Sequence, residues 1–376
     1  MSLRDQHVLI LGLGDSGLSM ARWCARQGAR VTVADTRSEP PHWTTLQAQY
    51  PTIRLVTGHM GAQLVEGQGI RAVFKSPGLS PTEVAPVWQA AQAMGLWMGT
   101  ELTLFVHALD ELQRERGYAP KLLAITGTNG KTTVTSLTGQ LLERAGARVA
   151  VAGNIGPTLL DTLAQALDDA PPWVPPVAPE VNVAPEVHDG VTSSTERLAD
   201  SMQEAVEEPF EAVVIAPDAQ PVTDDVVVEA QPAQAVTVDA STSEDMTQDT
   251  PPTSPADDEP AAAPQIVPPP PKIDLGLPDV WVLELSSFQL DGVTGFEPSA
   301  ATILNITEDH LDWHGSLDAY AQAKACIWGS QGLMVINRDD PRVFAMVPPE
   351  EPPRKKNRVQ RHWTSFGLGL PTRPGD

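Results

Sequence analysis

The chain has 376 residues, which is enough for two to three domains of about 150 residues each. Its formal net charge of −23 is concentrated, because 24 of the 48 acidic residues and only two of the 25 basic ones fall within 168–279, giving −22 there and −1 elsewhere. The remainder is nearly neutral, and we expect no nucleic-acid partner. Two cysteines without CxxC spacing argue against a disulfide framework and favour a reducing compartment.

The first 97 residues are predicted to form an α/β domain with a parallel, Rossmann-like sheet. The N-terminus has no signal-peptide pattern, and no run of 18 apolar residues occurs anywhere, so we expect a cytoplasmic protein without membrane insertion. Strand and helix signals then alternate at the spacing typical of parallel sheets covered by helices. We predict strands at 7–11, 30–34 and 70–74 and helices at 18–27 and 86–94.

Residues 98–376 are predicted to form a second, central α/β domain. Its strand signals lie at 122–126, 148–152, 280–285, 300–306 and 333–336, and its helix signals at 131–145 and 317–328.

A disordered insertion is predicted within this domain at about 168–279. The segment holds 20 of the 36 prolines and almost all of the net charge, so it cannot bury enough apolar surface to offset its chain entropy. A short helix over 194–208 would place Leu198, Met202 and Val206 on one face. That helix is either transient or a docking element for an unknown partner.

A glycine motif, GLGDSG at 12–17, follows the first strand, and Asp35 ends the next one. Glycines at these positions allow a tight turn and let a pyrophosphate approach the N-terminus of the following helix. The motif indicates a ligand that carries a diphosphate. From the residues alone, NAD and other nucleotides both remain open.

A second glycine loop, at 127–130, joins a buried strand to a helix that begins at Lys131. Its backbone N–H groups and lysine suit the phosphates of a nucleoside triphosphate. The loop is a variant of GxxxxGK[ST], because Ile125 stands where that pattern has glycine. Glu284, at the end of an apolar strand, is the expected metal-binding carboxylate. His310, after another strand, is either a metal ligand or a structural histidine.

These motifs together resemble the Mur ligase family. The resemblance rests on TGTNGKTT at 126–133, GNIG at 153–156, LELSSFQL at 283–290, NITEDHLDWHG at 305–315 and AQAK at 321–324. In the first domain, GLGDSG at 12–17, DTR at 35–37 and SPG at 76–78 look like the member that adds D-glutamate to UDP-N-acetylmuramoyl-L-alanine. The resemblance implies that the first domain binds the UDP of this substrate and not NAD.

The resemblance also implies a role for each matching residue. The UDP part of the substrate would contact Gly14, Asp15, Ser16, Thr36, Arg37 and Gly78, and the muramoyl part Asn154 and Ser286. The ATP phosphates would be wrapped by Gly127, Thr128, Asn129, Gly130, Lys131, Thr132 and Thr133. Thr132 and Glu284 would hold a first Mg²⁺, and His310 a second, together with Lys324 in carbamylated form.

The implied reaction is acyl phosphate formation on the alanyl carboxylate followed by attack of the D-glutamate amine, with no protein nucleophile. Lys131, Glu284, His310 and Lys324 would be the catalytic residues. Members of the family carry a further C-terminal domain that binds the incoming amino acid, and its motifs are absent before Asp376. We therefore expect this polypeptide alone to bind the UDP substrate but to turn over poorly. The alternatives are a NAD-dependent oxidoreductase and a non-catalytic nucleotide-binding remnant.

Overall fold

The computed structural model describes residues 2–175, 274–348 and 361–371. These residues build two sheets in which all neighbouring strands are parallel. The disorder predicted for the insertion, and the helix predicted at 194–208, lie outside the described residues. Within them, no helix combines the length and the apolar composition that a bilayer span requires.

The first sheet has the strand order β3-β2-β1-β4-β5. Its strands are β1 (His7–Leu11), β2 (Arg30–Asp35), β3 (Arg54–Thr57), β4 (Ala72–Lys75) and β5 (Trp97–Gly99), and its helices are α1 (Asp15–Arg26), α2 (Trp43–Gln49), α3 (Pro81–Ala93) and α4 (Glu101–Arg116). Leu11 pairs with Ala34 on β2 and with Lys75 on β4. The loops that follow these three strands therefore leave the sheet at one edge.

The second sheet has the order β11-β10-β9-β6-β8-β7. Its elements are β6 (Lys121–Thr126), α5 (Lys131–Arg144), β7 (Val149–Gly153), α6 (Leu159–Asp169), β8 (Val280–Glu284), α7 (Ser287–Leu290), β9 (Ala300–Ile303), α8 (Leu311–His314), α9 (Leu317–Ala325), β10 (Leu333–Asn337), α10 (Pro341–Phe344) and β11 (Trp363–Phe366). Ile125 on β6 pairs with Glu284 on β8 and with Thr302 on β9. The glycine loop after β6 is thus flanked by the ends of β8 and β9.

A shared apolar core joins the two sheets. One buried cluster includes Val8 and Ile10 from the first sheet and Leu283 and Ile303 from the second. Helices α1, α4 and α6 contact one another between the sheets, and the Phe105 ring on α4 packs edge-on against Trp281 on β8, with centroids 5.0 Å apart. Burial of this surface holds the two sheets in a defined arrangement.

The structure differs from the sequence prediction at several elements. The unpredicted elements are strands β3, β5 and β11 and helices α2, α4, α6, α7, α8 and α10, and the predicted boundary at residue 97 falls on the first residue of β5. Helix α3 begins at Pro81, not at 86, because the Ser80 side chain accepts a hydrogen bond from the Glu83 N–H and caps it there.

The predicted insertion at 168–279 is too wide at both ends. Helix α6 continues to Asp169, and on the other side Leu277 is buried. Arg148 forms ion pairs with Asp274 and Asp279, which tie the chain before β8 to the start of β7. These outer residues therefore belong to the folded domain.

Candidate active site

The loop between β6 and α5 has the geometry of a phosphate cradle. Gly130 has φ of 83°, a left-handed conformation that favours glycine, and helix α5 starts directly after it. The Lys131 side chain folds back over the loop, and its Nζ donates hydrogen bonds to the carbonyls of Gly127 (2.9 Å) and Thr128 (3.0 Å). Ile125 is a buried residue of β6, so no glycine is needed there. Thr132 and Thr133 lie exposed in the first turn of α5.

The segment after β9 braces this loop from one side. Asn305 makes two hydrogen bonds with the backbone of Asn129: its Oδ1 accepts from the N–H at 2.8 Å, and its Nδ2 donates to the carbonyl at 3.1 Å. The Thr128 hydroxyl accepts from the Thr307 N–H at 3.0 Å and lies 3.2 Å from the Tyr320 hydroxyl. The loop is therefore held before any ligand contacts it, which lowers the entropy cost of binding.

Glu284 borders the loop on the other side. Its side chain is 1% exposed, and the Asn154 side-chain amide donates to Oε1 at 3.3 Å. The Asn154 N–H also donates to the Glu284 carbonyl at 2.8 Å. Gly153 has φ of 131°, and a side chain there would overlap that carbonyl, so the GNIG turn requires glycine at this position. The structure thus brings Asn154 and Glu284 together.

Lys324 approaches the same loop from α9. Its Nζ donates to the Gly127 carbonyl at 3.0 Å and to Thr126 Oγ1 at 3.3 Å, and it lies 4.5 Å from the centre of the Tyr320 ring. The side chain is 1% exposed. Burial, followed by the positive charge of Lys131, lowers the pKa of Lys324 to about 7. This lysine is therefore a buried neighbour of the phosphate loop and not a solvated surface residue.

His310 lies at the rim of the site. It has φ of 52° and its ring packs on Phe288, 4.6 Å between centroids, with Nε2 3.4 Å from Asp309 Oδ2. His314, which the sequence did not single out, bonds Ser287 Oγ at 3.0 Å, and burial lowers its pKa. Within 2–175, 274–348 and 361–371, no three His, Cys, Asp or Glu side chains form a cluster that could hold a metal by themselves.

The predicted UDP residues lie along one edge of the first sheet. Asp35 is 2% exposed and accepts from the Leu13 N–H at 2.7 Å and from Arg37 Nε and an Arg37 terminal nitrogen, both at 2.8 Å. Burial opposes ionisation, but the hydrogen bonds from Arg37 and Leu13 hold the pKa of Asp35 below its ordinary value. Arg37 and the glycine loop are thereby linked through one carboxylate.

The other residues predicted for the sugar nucleotide differ in their surroundings. Thr36 and Gly78 are exposed on the loops after β2 and β4, and Asp15 is exposed and lies 2.9 Å from His42 Nε2. Gly14 caps α1, whose first turn contains Ser16. In the second domain, Ser286 caps α7 by accepting from the Gln289 N–H at 3.3 Å. Its hydroxyl thus already has a partner within its own turn.

Two buried charged residues near these loops were missed from the sequence. Lys75 ends the apolar strand β4, one residue before Ser76-Pro77-Gly78, and its Nζ lies 3.9 Å from Asp291 and over the rings of Trp88 and Trp313. The signal that identified Glu284, a charged residue at the end of an apolar strand, would also have identified Lys75. Glu101 begins the unpredicted helix α4, and no motif marks it.

Comparison with known protein families gives a match for each of the two domains. Residues 6–98 match the N-terminal domain of MurD-like Mur ligases, and residues 125–170 and 276–356 match the Mur ligase middle domain. The gap in the second match, 171–275, falls on the proline-rich segment.

Similar whole proteins point the same way. The chain is 46% identical over 377 residues to a UDP-N-acetylmuramoylalanine–D-glutamate ligase of Albidiferax ferrireducens, covering all of this chain and 53% of the relative. A protein of the same name from a Polaromonas species is 35% identical over 460 residues, with 60% of it covered. The chain thus spans little more than half the length of these curated relatives.

Among solved structures, a pseudomurein peptide ligase type C from Methanothermus fervidus aligns with 92% of this chain and 47% of its own, at 16% identity and a TM-score of 0.28, too low to support an argument. The two domain matches, which together account for most of the folded residues, carry the assignment. With an N-terminal domain of the MurD-like type and a Mur ligase middle domain, this chain belongs to the Mur ligase family.

Proposed function

We propose that this chain provides the sugar-nucleotide site and the ATP site of a cytoplasmic ligase that joins D-glutamate to UDP-N-acetylmuramoyl-L-alanine in peptidoglycan synthesis. The observation that carries the proposal is the group of residues around Gly127. Lys131 and Lys324 both donate to its carbonyl, and Glu284 ends the neighbouring strand. The names of the similar proteins support the identity of the substrates.

ATP fits the loop at 127–133. The N–H groups at the start of α5 and the Lys131 ammonium would meet the phosphate oxygens as the negative charge builds on them. The hydrogen bonds that the loop makes with Asn305 and Thr307 hold it in place for that contact. The preorganised donors would contribute more to the transition state than mobile groups could.

The residues around Glu284 fit Mg²⁺. A carboxylate that is 1% exposed, with a 3.3 Å amide hydrogen bond at Oε1, is a strong oxygen ligand for a divalent cation. Thr132 and Glu284 would hold one ion, and His310 with carbamylated Lys324 would hold a second. When bound, the ions would neutralise charge on the phosphates.

The sugar nucleotide would span the two sheets. Its UDP would lie along the loops with Gly14, Asp15, Ser16, Thr36, Arg37 and Gly78, and its muramoyl group would reach Asn154 and Ser286.

The alanyl carboxylate would then attack the γ-phosphorus and release ADP. The D-glutamate amine would attack the acyl carbon, forming the amide as phosphate leaves and the amine loses its proton. Positioning of these groups is what the protein contributes.

Binding measurements test the proposal, because the chain spans little more than half the length of its relatives. We expect calorimetry to show binding of UDP and of Mg-ATP, and none of NADH. Replacement of Lys131 by alanine should abolish Mg-ATP binding and leave UDP affinity unchanged. Lys121→Ala, which removes an exposed lysine at the start of β6, is the matched control.

The other outcomes would reject the proposal. NADH binding more tightly than UDP would favour an oxidoreductase. A protein that binds none of UDP, Mg-ATP and NADH would favour a non-catalytic remnant. Equal loss of UDP and Mg-ATP in Lys131→Ala would contradict the two-site arrangement.

A further inference from the structure

Three helices begin around one buried carboxylate, that of Glu101. The side chain is 2% exposed and occupies the first position of α4. Its Oε1 accepts hydrogen bonds from Ser19 Oγ on α1 and from the Leu160 N–H in the first turn of α6, both at 3.1 Å. The Ser16 side chain on α1 also favours the ionised form of Glu101 and lowers its pKa. The carboxylate therefore links the first sheet's α1 to the second sheet's α6.

The groups around Glu101 act on its charge in opposite directions: burial disfavours the ionised form, and the hydrogen bonds favour it. Helix N-termini carry partial positive charge, and here those of α1, α4 and α6 converge. The negative charge of Asp161 on α6 raises the pKa of Glu101. Asp161 is itself paired with Arg22 of α1 at 3.4 Å. Burial raises the pKa of Glu101 to about 7, so this carboxyl group changes charge within the physiological range.

Two of these helices begin at loops that the proposed function assigns to one ligand. Helix α1 follows the glycine loop at 12–14, and α6 follows the GNIG turn at 153–156. A ligand that contacts both loops requires them at a set separation, whereas UDP alone contacts the first loop. Glu101 touches residues of both helices and lies outside the loops themselves.

We propose that Glu101 is a positioning residue that couples the UDP-binding loop to the muramoyl-binding turn, so that a sugar nucleotide that spans both is bound more tightly than UDP. The inference rests on the proposed function, because that function supplies the spanning ligand. The ionised carboxylate would hold α1 and α6 at a fixed separation.

The test compares three ligands with wild-type protein and with Glu101→Gln. At pH 8 we expect the variant to bind UDP-N-acetylmuramoyl-L-alanine about tenfold more weakly, since charge-assisted hydrogen bonds are lost. Its affinities for UDP and for Mg-ATP should stay within about twofold of wild type, because each of these ligands contacts one sheet. Arg26→Gln is the matched control, as it removes an exposed ion pair with Asp168 between the same two helices. We expect no change from it.

A pH profile gives a second readout. The ratio of UDP-N-acetylmuramoyl-L-alanine affinity to UDP affinity should fall in wild type as the pH is lowered from 8 to 6 and Glu101 takes up a proton. In Glu101→Gln the ratio should follow only the titration of the UDP phosphate, which is the same for both proteins. If the variant fails to fold, the wild-type profile still tests the inference.

Each remaining outcome is decisive. Wild type that binds the spanning ligand better than UDP, with the same preference in Glu101→Gln, would overturn the role of Glu101 and leave the proposed function intact. An equal loss in Arg26→Gln would also overturn it. Wild type that binds neither UDP nor the sugar nucleotide would reject both proposals.

Discussion

Lys131 and Lys324 donate hydrogen bonds to the same oxygen atom, the carbonyl of Gly127, at 2.9 and 3.0 Å. Two ammonium groups on one acceptor repel each other, and the less exposed one responds: the pKa of Lys324 falls to about 7, first through burial and then through the charge of Lys131. A substantial fraction of Lys324 is therefore a neutral amine near neutral pH, and a neutral amine is the form that reacts with CO₂.

The first prediction concerns this amine. With ¹³CO₂ held at constant dissolved concentration, wild-type protein should show a carbamate carbon signal by NMR that grows as the pH rises from 6 to 8. Lys324→Gln should lose the signal, while Lys121→Gln should keep it, because Lys121 is exposed. A signal that persists in Lys324→Gln would place the carbamate on another amine.

The second prediction concerns the buried carboxylate beside the phosphate loop. Glu284→Gln keeps the shape and removes the charge, so Mg-ATP affinity should fall by about tenfold or more, while ATP affinity in EDTA should stay unchanged. Glu308→Gln, which changes an exposed carboxylate after β9, is the control and should have little effect. Equal weakening with and without Mg²⁺ would show that Glu284 acts on the loop and not on a metal ion.

The third prediction is the pH dependence of stability that Glu101 produces. Its pKa is raised in the folded state from 4.5 to about 7, so the folded protein holds a proton that the unfolded chain has released. The associated stabilisation is complete below about pH 4.5 and is lost as the pH rises through 7, amounting to about 3 kcal/mol over the window. Urea unfolding at pH 5 and pH 8 should therefore show a larger decrease for wild type than for Glu101→Gln. Parallel pH profiles would contradict the assignment.

The fourth prediction separates two glycines of the first motif. A Cβ on Gly17 would overlap the Gly12 carbonyl oxygen and approach Ser76 Oγ to 2.9 Å, whereas a Cβ on Gly14 meets nothing within 4 Å. Gly17→Ala should therefore lower the free energy of unfolding by about 1–3 kcal/mol, because α1 must move away from β1. Gly14→Ala should leave it nearly unchanged. Thermal unfolding of both variants checks this, and equal melting temperatures would refute the close approach.

The phosphate loop and Glu284 could be predicted from the sequence because both follow apolar strands of a parallel sheet. Such strands are nearly continuous apolar runs, and their carboxyl ends meet at one edge, so the relation between 127–131 and Glu284 follows from the pattern. Lys324 could not be found this way. Its burial comes from packing of α9 against the loop, which leaves no local signal, and the resemblance in AQAK was needed to identify it.

Physical reasons also explain why other features were not predicted from the sequence. Strand β3 is four residues long and mostly exposed, so it lacks the apolar alternation that marks a strand. Helix α6 is followed directly by the proline-rich stretch, which hides its amphipathic pattern. Glu101 reads as an ordinary acidic residue, because its partners Ser19 and Leu160 lie 82 and 59 positions away.

The two ends of the long charged segment meet at a single point of the fold. A Cβ on Gly276 would lie 2.5 Å from Pro171 Cδ, and both residues precede the start of β8. That point is at the amino ends of the strands, across the sheet from every ligand loop described above. Since closing a longer loop costs only slightly more free energy, the length of the segment between these two ends has little effect on the free energy of closing it. We therefore expect a change in the length of this segment to leave both phosphate loops in place.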